Sequence, residues 1–145
     1  MEIYIGTKVI KAIPMTSDDA YRSGYHINGS DGDGYEVEYE DGYRSWSPKA
    51  TFDAAYRKCT AMTFGLAIEA MRKGKKVCRQ GWNGKGLSIE LQLPDVNSKM
   101  TLPYLFMNYP STPASDTAPA NHINARVPWL ASQTDMLAED WQIIE

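Results

Sequence analysis

TFGLAIEAMRKGKKVCRQGWNGKGLSIELQL, residues 63–93, passes from a helical apolar period to a strand period within one stretch, and this switch decides the fold. Thr63 stands as the N-cap of a helix over Phe64 to Lys73, with Phe64, Ala67, Ile68 and Met71 as its buried stripe. Gly74 occupies the position of a C-terminal glycine. Val77-Cys78-Arg79 then reads as a short strand. Beyond a glycine-rich turn, Leu87 to Leu93 alternates without a break, four apolar residues on one face and three polar ones on the other, until Pro94-Asp95 closes it.

Outward from this stretch, Leu102 to Met107 reads as a further strand and Asp140 to Ile144 as a closing one. Between them, Asn108 to Asn124 is rich in Pro, Ser, Thr, Ala and Asn and reads as a long loop. Upstream, Ile3-Tyr4-Ile5 and Lys8-Val9-Ile10 favour strand, and Pro14 with Thr16 to Asp19 ends that run. Tyr35 to Tyr39 alternates as a half-buried strand, Asp41-Gly42 signals a hairpin, and Tyr43 to Trp46 returns. Ser47-Pro48 reads as N-cap and first residue of a helix whose apolar face is Phe52, Ala55, Tyr56 and Cys59. The expectation is an α+β chain in two subdomains, 1–60 and 61–145, each a small antiparallel sheet packed with a helix.

The composition bounds the function. A chain of 145 residues with net charge -3 is poorly suited to broad nucleic-acid binding through phosphates. No apolar stretch is long enough to span a bilayer, and Met1 to Gly6 lacks a signal-peptide pattern, so the expected location is the cytoplasm. Cys59 and Cys78 allow a disulfide, but in a reducing compartment they are expected as buried thiols. Arg72, Lys73, Lys75, Lys76, Arg79 and Lys85 concentrate positive charge. A solvated helix end and an anion-facing patch explain them equally well.

Metal binding fails on inventory, since His26 and His122 are the only histidines and neither cysteine has a ligand-spaced partner. Asp31-Gly32-Asp33-Gly34 lacks the glycine and late glutamate of a calcium loop and reads as an acidic turn. No Gly-x-Ser-x-Gly or Cys–His arrangement points to nucleophilic catalysis. The turn Gly81-Trp82-Asn83-Gly84-Lys85-Gly86 carries more chemistry. Its amides can form a concave anion site, Lys85 adds charge, and Trp82 offers a stacking face for a base. Taken alone, a hairpin with a packed tryptophan explains it better. Ser132-Gln133-Thr134-Asp135 carries hydroxyls and a carboxylate that suit ribose, or equally an N-cap. Trp141 reads as core, and Tyr104 and Tyr109 remain open.

In order along the chain stand Met62-Thr63-Phe64-Gly65, Gly74 to Val77, Arg79 to Gly86, Pro103 to Met107, and Val127 to Trp141. This ordered set resembles the second type of phage Thoeris anti-defence protein over residues 62–145. The resemblance implies a small α+β protein that sequesters, without cleaving, a cyclic ADP-ribose isomer (glycocyclic ADP-ribose) made by bacterial TIR-domain enzymes. It also implies cyclic dinucleotides as further ligands for some members, a homotetramer with pockets between protomers, no cofactor, and a place in the cytoplasm of the infected bacterial host. Carried onto this chain, Trp82, Asn83, Gly84 and Lys85 would stack and contact phosphate, with Arg79 beside them, while Ser132, Thr134 and Asp135 would bond ribose or base edges. Neither a membrane nor polymeric nucleic acid is implied as a partner. The alternatives are a nucleotide hydrolase and a phage structural or adaptor protein. Segment 1–60 and the loop 108–124 exceed the family pattern, and Tyr35 to Tyr56 resembles a small domain of phage proteins.

Overall fold

A computed structural model of the chain describes residues 1–29, 31–82, 86–109 and 125–144. The fold is α+β, with two antiparallel sheets of three and five strands plus short helices. Internal contacts divide the chain into two units, Met1–Arg57 and Lys58–Glu145.

In the first unit, β1 (Lys11–Thr16), β2 (Asp33–Glu38) and β3 (Arg44–Pro48) pair in that order. The hairpin between β2 and β3 turns where Asp41-Gly42 places it: the Tyr39 amide donates to the Tyr43 carbonyl and the Gly42 amide to the Tyr39 carbonyl, both at 2.9 Å. Val37 and Trp46 are buried, and the Trp46 indole N–H donates to the Met15 carbonyl at 3.0 Å. Helix α2 (Lys49–Ala55) lays Phe52 on Tyr35, ring centroids 4.2 Å apart.

Several expectations for residues 1–60 are corrected. The first strand begins at Lys11, because pairing with β2 defines it, whereas Ile3, Tyr4 and Ile5 are exposed and belong to no strand. Pro14 does not end the run; it lies inside β1 opposite Tyr35, where an edge strand tolerates a missing N–H. Thr16 is the N-cap of a helix that the polar run concealed, α1 (Ser17–Arg22), and its hydroxyl accepts from the Asp19 amide at 3.2 Å. Ser47 stays in β3 opposite Tyr35, so Pro48 is the N-cap of α2 and no side chain caps that helix. The helix also stops at Ala55, with Tyr56 extended. Cys59 therefore falls off the expected apolar face and is exposed, contrary to the buried thiol expected.

The second unit is built on helix α3 (Phe64–Arg72) and a five-stranded sheet. Its strands are β4 (Lys76–Arg79), β5 (Ser88–Gln92), β6 (Tyr104–Tyr109), β7 (Ala125–Pro128) and β8 (Trp141–Ile144), ordered β7-β6-β5-β4-β8. Thr63 caps α3 as its position predicts, accepting from the Leu66 amide at 3.4 Å, and Gly74 follows at φ +77°. Ala67, Ala70 and Met71 are the fully buried face of α3, with Phe64 and Ile68 half-buried at its margins. The alternation of β5 aims Ile89 into this core, with Leu87 and Leu91 against it. Leu93 lies past the strand and is exposed. The outer edge of β8 is covered by the segment before α3: Met62 and Trp141 exchange backbone hydrogen bonds, and the Ile143 amide donates to the Cys59 carbonyl.

The expected strand at 102–107 runs instead from Tyr104 to Tyr109, so the loop begins later than Asn108; residues 110–124 lie outside the described residues. Tyr104 and Tyr109 are thus the two ends of β6. Strand β7 has no alternating pattern of its own and is defined by pairing Phe106 with Pro128 through Tyr109 with Ala125. On the sheet face that α3 leaves free, the buried Asn108 side chain donates to Ser88 and Glu90 and accepts from Arg126 Nε at 3.2 Å. Its donors and its acceptor are thereby engaged, as burial of an amide requires.

One close approach in the first unit is testable. A Cβ built on Gly34 would stand 2.4 Å from Trp46 Cζ2 and 2.5 Å from the Ser47 carbonyl oxygen, a backbone atom that cannot swing aside. Gly34→Ala should therefore destabilise the unit by about 1–3 kcal/mol. The loss should be read as a lower urea midpoint of the Trp46 indole NMR signal.

Candidate functional site

The site grows from the end of β4. Arg79 pairs with Trp141 across the β4–β8 ladder, so both side chains rise on the face that packs toward α3. The preceding residue, Asp140, takes Arg79 side-on, Nε to one carboxylate oxygen at 2.8 Å and Nη2 to the other at 3.4 Å. The remaining guanidinium nitrogen, Nη1, donates to Asp135 at 3.0 Å. Arg79 is 23% exposed, Asp135 15% and Asp140 32%, so solvent screens these pairs only in part.

Asp135 belongs to α4 (Gln133–Met136), a helix of four residues. So short a helix has no stability of its own in water, and external bonds must hold it. Ser132 supplies a capping box: its hydroxyl accepts from the Asp135 amide at 3.1 Å while its own amide donates to the Asp135 carboxylate at 3.0 Å. The buried Trp141 supplies another tie, its indole N–H donating to the Asp135 carbonyl at 2.9 Å.

The hydroxyl inventory follows from these bonds. Ser132 Oγ donates to Asp135 at 2.6 Å and accepts from the Asp135 amide, and it lies 2.8 Å from Thr134 Oγ1. A hydroxyl has one proton and two lone pairs, so with its proton on Asp135 Ser132 must accept from Thr134. Ser132 is then saturated. Thr134, which is exposed, then keeps acceptor capacity on its hydroxyl oxygen.

Trp82 is half-buried at the entry to the glycine turn, and its amide donates to the Arg79 carbonyl at 3.3 Å. Its ring meets Trp141 edge-on at 5.5 Å and Trp129 at 6.2 Å, and Phe64 completes an aromatic cluster against both Trp129 and Trp141. The structure therefore brings Trp82, Arg79, Ser132, Thr134 and Asp135 together around Trp141. Asn83, Gly84 and Lys85 lie outside the described residues. Gly86, which closes the turn, sits at φ +87°, a conformation that requires glycine.

Sequence reading missed two participants, Asp140 and Trp129. The only sequence signal for Asp140 was its place beside a core tryptophan, and Trp129 passed as part of an apolar run. The dense cations also look different once folded. Arg72 pairs with Glu69 at 3.1 Å and Lys76 with Glu90 at 3.2 Å, and Arg79 is held by two aspartates. Among the described residues no group of three or more His, Cys, Asp or Glu side chains could hold a metal ion, and no helix is long and apolar enough to cross a membrane.

Burial opposes the charge on Asp135, but the hydroxyl and amide of Ser132 and the Arg79 guanidinium outweigh it and hold its carboxyl below the ordinary carboxylate range. Arg79 is raised in turn, first by Asp140 and then by Asp135. A depressed carboxyl stabilises the fold above its unfolded pKa, and that contribution is lost as pH falls through the folded value. The second unit should lose stability on acidification below about pH 4, the ordinary aspartate value. Asp135→Asn should flatten that slope in urea titrations at successive pH values while lowering stability near neutrality.

Comparison with known proteins bears on the same residues. Residues 62–144 match the sequence model of the family described as Thoeris anti-defense 2-like domain. The chain is similar to a curated protein of Bacillus phage SP01 named Thoeris anti-defense 2, with 37% identity over 90 residues, covering 59% of this chain and 97% of that protein. The matched region takes in the core of the second unit, the glycine turn and α4, and on that match the chain belongs to the Thoeris anti-defense 2-like family.

Proposed function

We propose that this chain is a phage anti-defence protein acting against Thoeris, and that it sequesters a cyclic ADP-ribose isomer (glycocyclic ADP-ribose) without cleaving it. Family membership over residues 62–144 supports the anti-defence role. The observation that carries the mode of action is the hydrogen-bonded relay Arg79–Asp135–Ser132 ending on the exposed Thr134, with the half-buried Trp82 on the other side of Trp141's contacts. A fixed acceptor of this kind suits a sugar hydroxyl. An indole face in the same site suits a base.

The charges give the ligand a direction. One guanidinium between two carboxylates leaves the α4 end of the site negative, so phosphates are repelled from it. In this proposal the ribose faces Thr134, and the phosphates lie toward the turn of Asn83, Gly84 and Lys85. Arg79 and Asp135 then act chiefly by holding α4. Binding as a homotetramer in the cytoplasm of the infected host cell, with cyclic dinucleotides as further ligands, belongs to the same proposal.

The same bonds argue against Asp135 as a general base for hydrolysis. A general base needs a proton affinity near the working pH, whereas Asp135 is held below the ordinary carboxylate range by its partners.

Mixing purified protein with glycocyclic ADP-ribose should deplete the free nucleotide, and heating the complex should return it unchanged by mass spectrometry. A chemically altered nucleotide would overturn sequestration in favour of hydrolysis, and no depletion would favour a structural or adaptor role. Thr134→Val removes the hydroxyl acceptor at nearly constant volume and should weaken binding about ten-fold, the cost of one hydrogen bond. Trp82→Ala should weaken it further; a folded variant with unaltered binding would remove Trp82 from the site.

A further inference from the structure

Asp140 lies outside the hydroxyl cluster, yet its carboxylate binds the same guanidinium that reaches that cluster. It occupies two of the three guanidinium nitrogens of Arg79, which leaves Nη1 as the one that reaches Asp135. A guanidinium is planar and its N–H directions are rigidly related. Clamping Nε and Nη2 on Asp140 therefore sets the direction of Nη1. Asp140 is itself fixed, because its carbonyl accepts from the Gln80 amide at 3.2 Å and the next residue begins β8.

We propose that Asp140 is a positioning residue for Thr134, acting through Arg79, Asp135 and Ser132. Each link is a hydrogen bond, and the chain ties a four-residue helix to the β4–β8 ladder. Trp141 holds the same helix by its backbone carbonyl, whereas the Asp135 carboxylate is held by Ser132 on one oxygen and by Arg79 on the other. The assignment rests on the sequestration reading only for its effect on ligand; its effect on α4 stands apart from any ligand.

Two variants separate these. Asp140→Asn keeps the volume but loses the charge and one acceptor, and Arg79→Lys keeps the charge but loses the fork. In both, hydrogen exchange at the amides of Asp135, Met136 and the C-cap Leu137 should accelerate relative to the β5 amides of the same molecule, and capture of glycocyclic ADP-ribose should weaken about ten-fold. The double variant should be no worse than the worse single one, because both cut one chain. Equal acceleration in α4 and β5 would mean that Asp140 contributes only to global stability, and would overturn the assignment. So would unchanged α4 exchange. If the wild-type protein captures no glycocyclic ADP-ribose, the sequestration reading fails while the exchange comparison still decides the role of Asp140.

Discussion

The buried indole of Trp141 joins the core of the second unit to its candidate site. Its ring is fully buried against Phe64, Trp82 and Trp129, its backbone exchanges hydrogen bonds with Met62 at the entrance to α3, and its N–H holds the Asp135 carbonyl. A tryptophan can be buried so deeply only when its N–H finds a partner. Here the partner is the backbone of α4, so satisfying a core residue also fixes a helix too short to stand alone. The aromatic cluster therefore serves packing first. Trp82 is one of its half-buried members and packs against both Trp141 and Trp129.

Local signals in the sequence were legible where the physics was local. The cap at Thr63, the stop at Gly74, the alternation of β5, the Asp41-Gly42 turn and the cap at Ser132 all concern residues a few positions apart, and the structure realises each of them. What stayed hidden depended on partners far along the chain. Pro14 reads as a breaker until β1 is known to be an edge strand, and β7 shows no alternation because it borrows its pairing from β6. Thr16 to Asp19 looks like a polar turn, whereas Thr16 caps a helix whose Ser17 hydroxyl also accepts from the Gly32 amide at 3.0 Å. Ser47 failed as a cap for a related reason, since the ladder to Tyr35 claims it first.

The same distinction governs the site. Six cations between Arg72 and Lys85 look like an anion patch when charge is counted along the chain. Folding brings Glu69, Glu90, Asp135 and Asp140 to three of them. Proximity in sequence overstates the free positive charge, because the neutralising acids arrive from other strands and from α4. The two halves suspected from sequence, the turn at Trp82 and the cluster at Ser132, do converge, and the residue that joins them is Arg79 through the Asp135 carboxylate, 56 positions away. No local pattern could have announced that pairing.

The electrostatics of this junction bear on the kind of chemistry the site can support. Asp135 spends one oxygen on Arg79 and the other on Ser132, and both bonds favour its ionised form. A carboxylate so engaged is a poor proton acceptor, since taking a proton would break the bonds that hold α4 in place. It is, however, a good structural anchor, because its charge persists at neutral pH and its partners fix its direction. The cost of ordering Ser132 and Thr134 is met in folding, before any ligand arrives. A preordered acceptor gains affinity by sparing the ligand that ordering cost. On the proposed sequestration, the arrangement would therefore serve to hold a ligand and not to transform it.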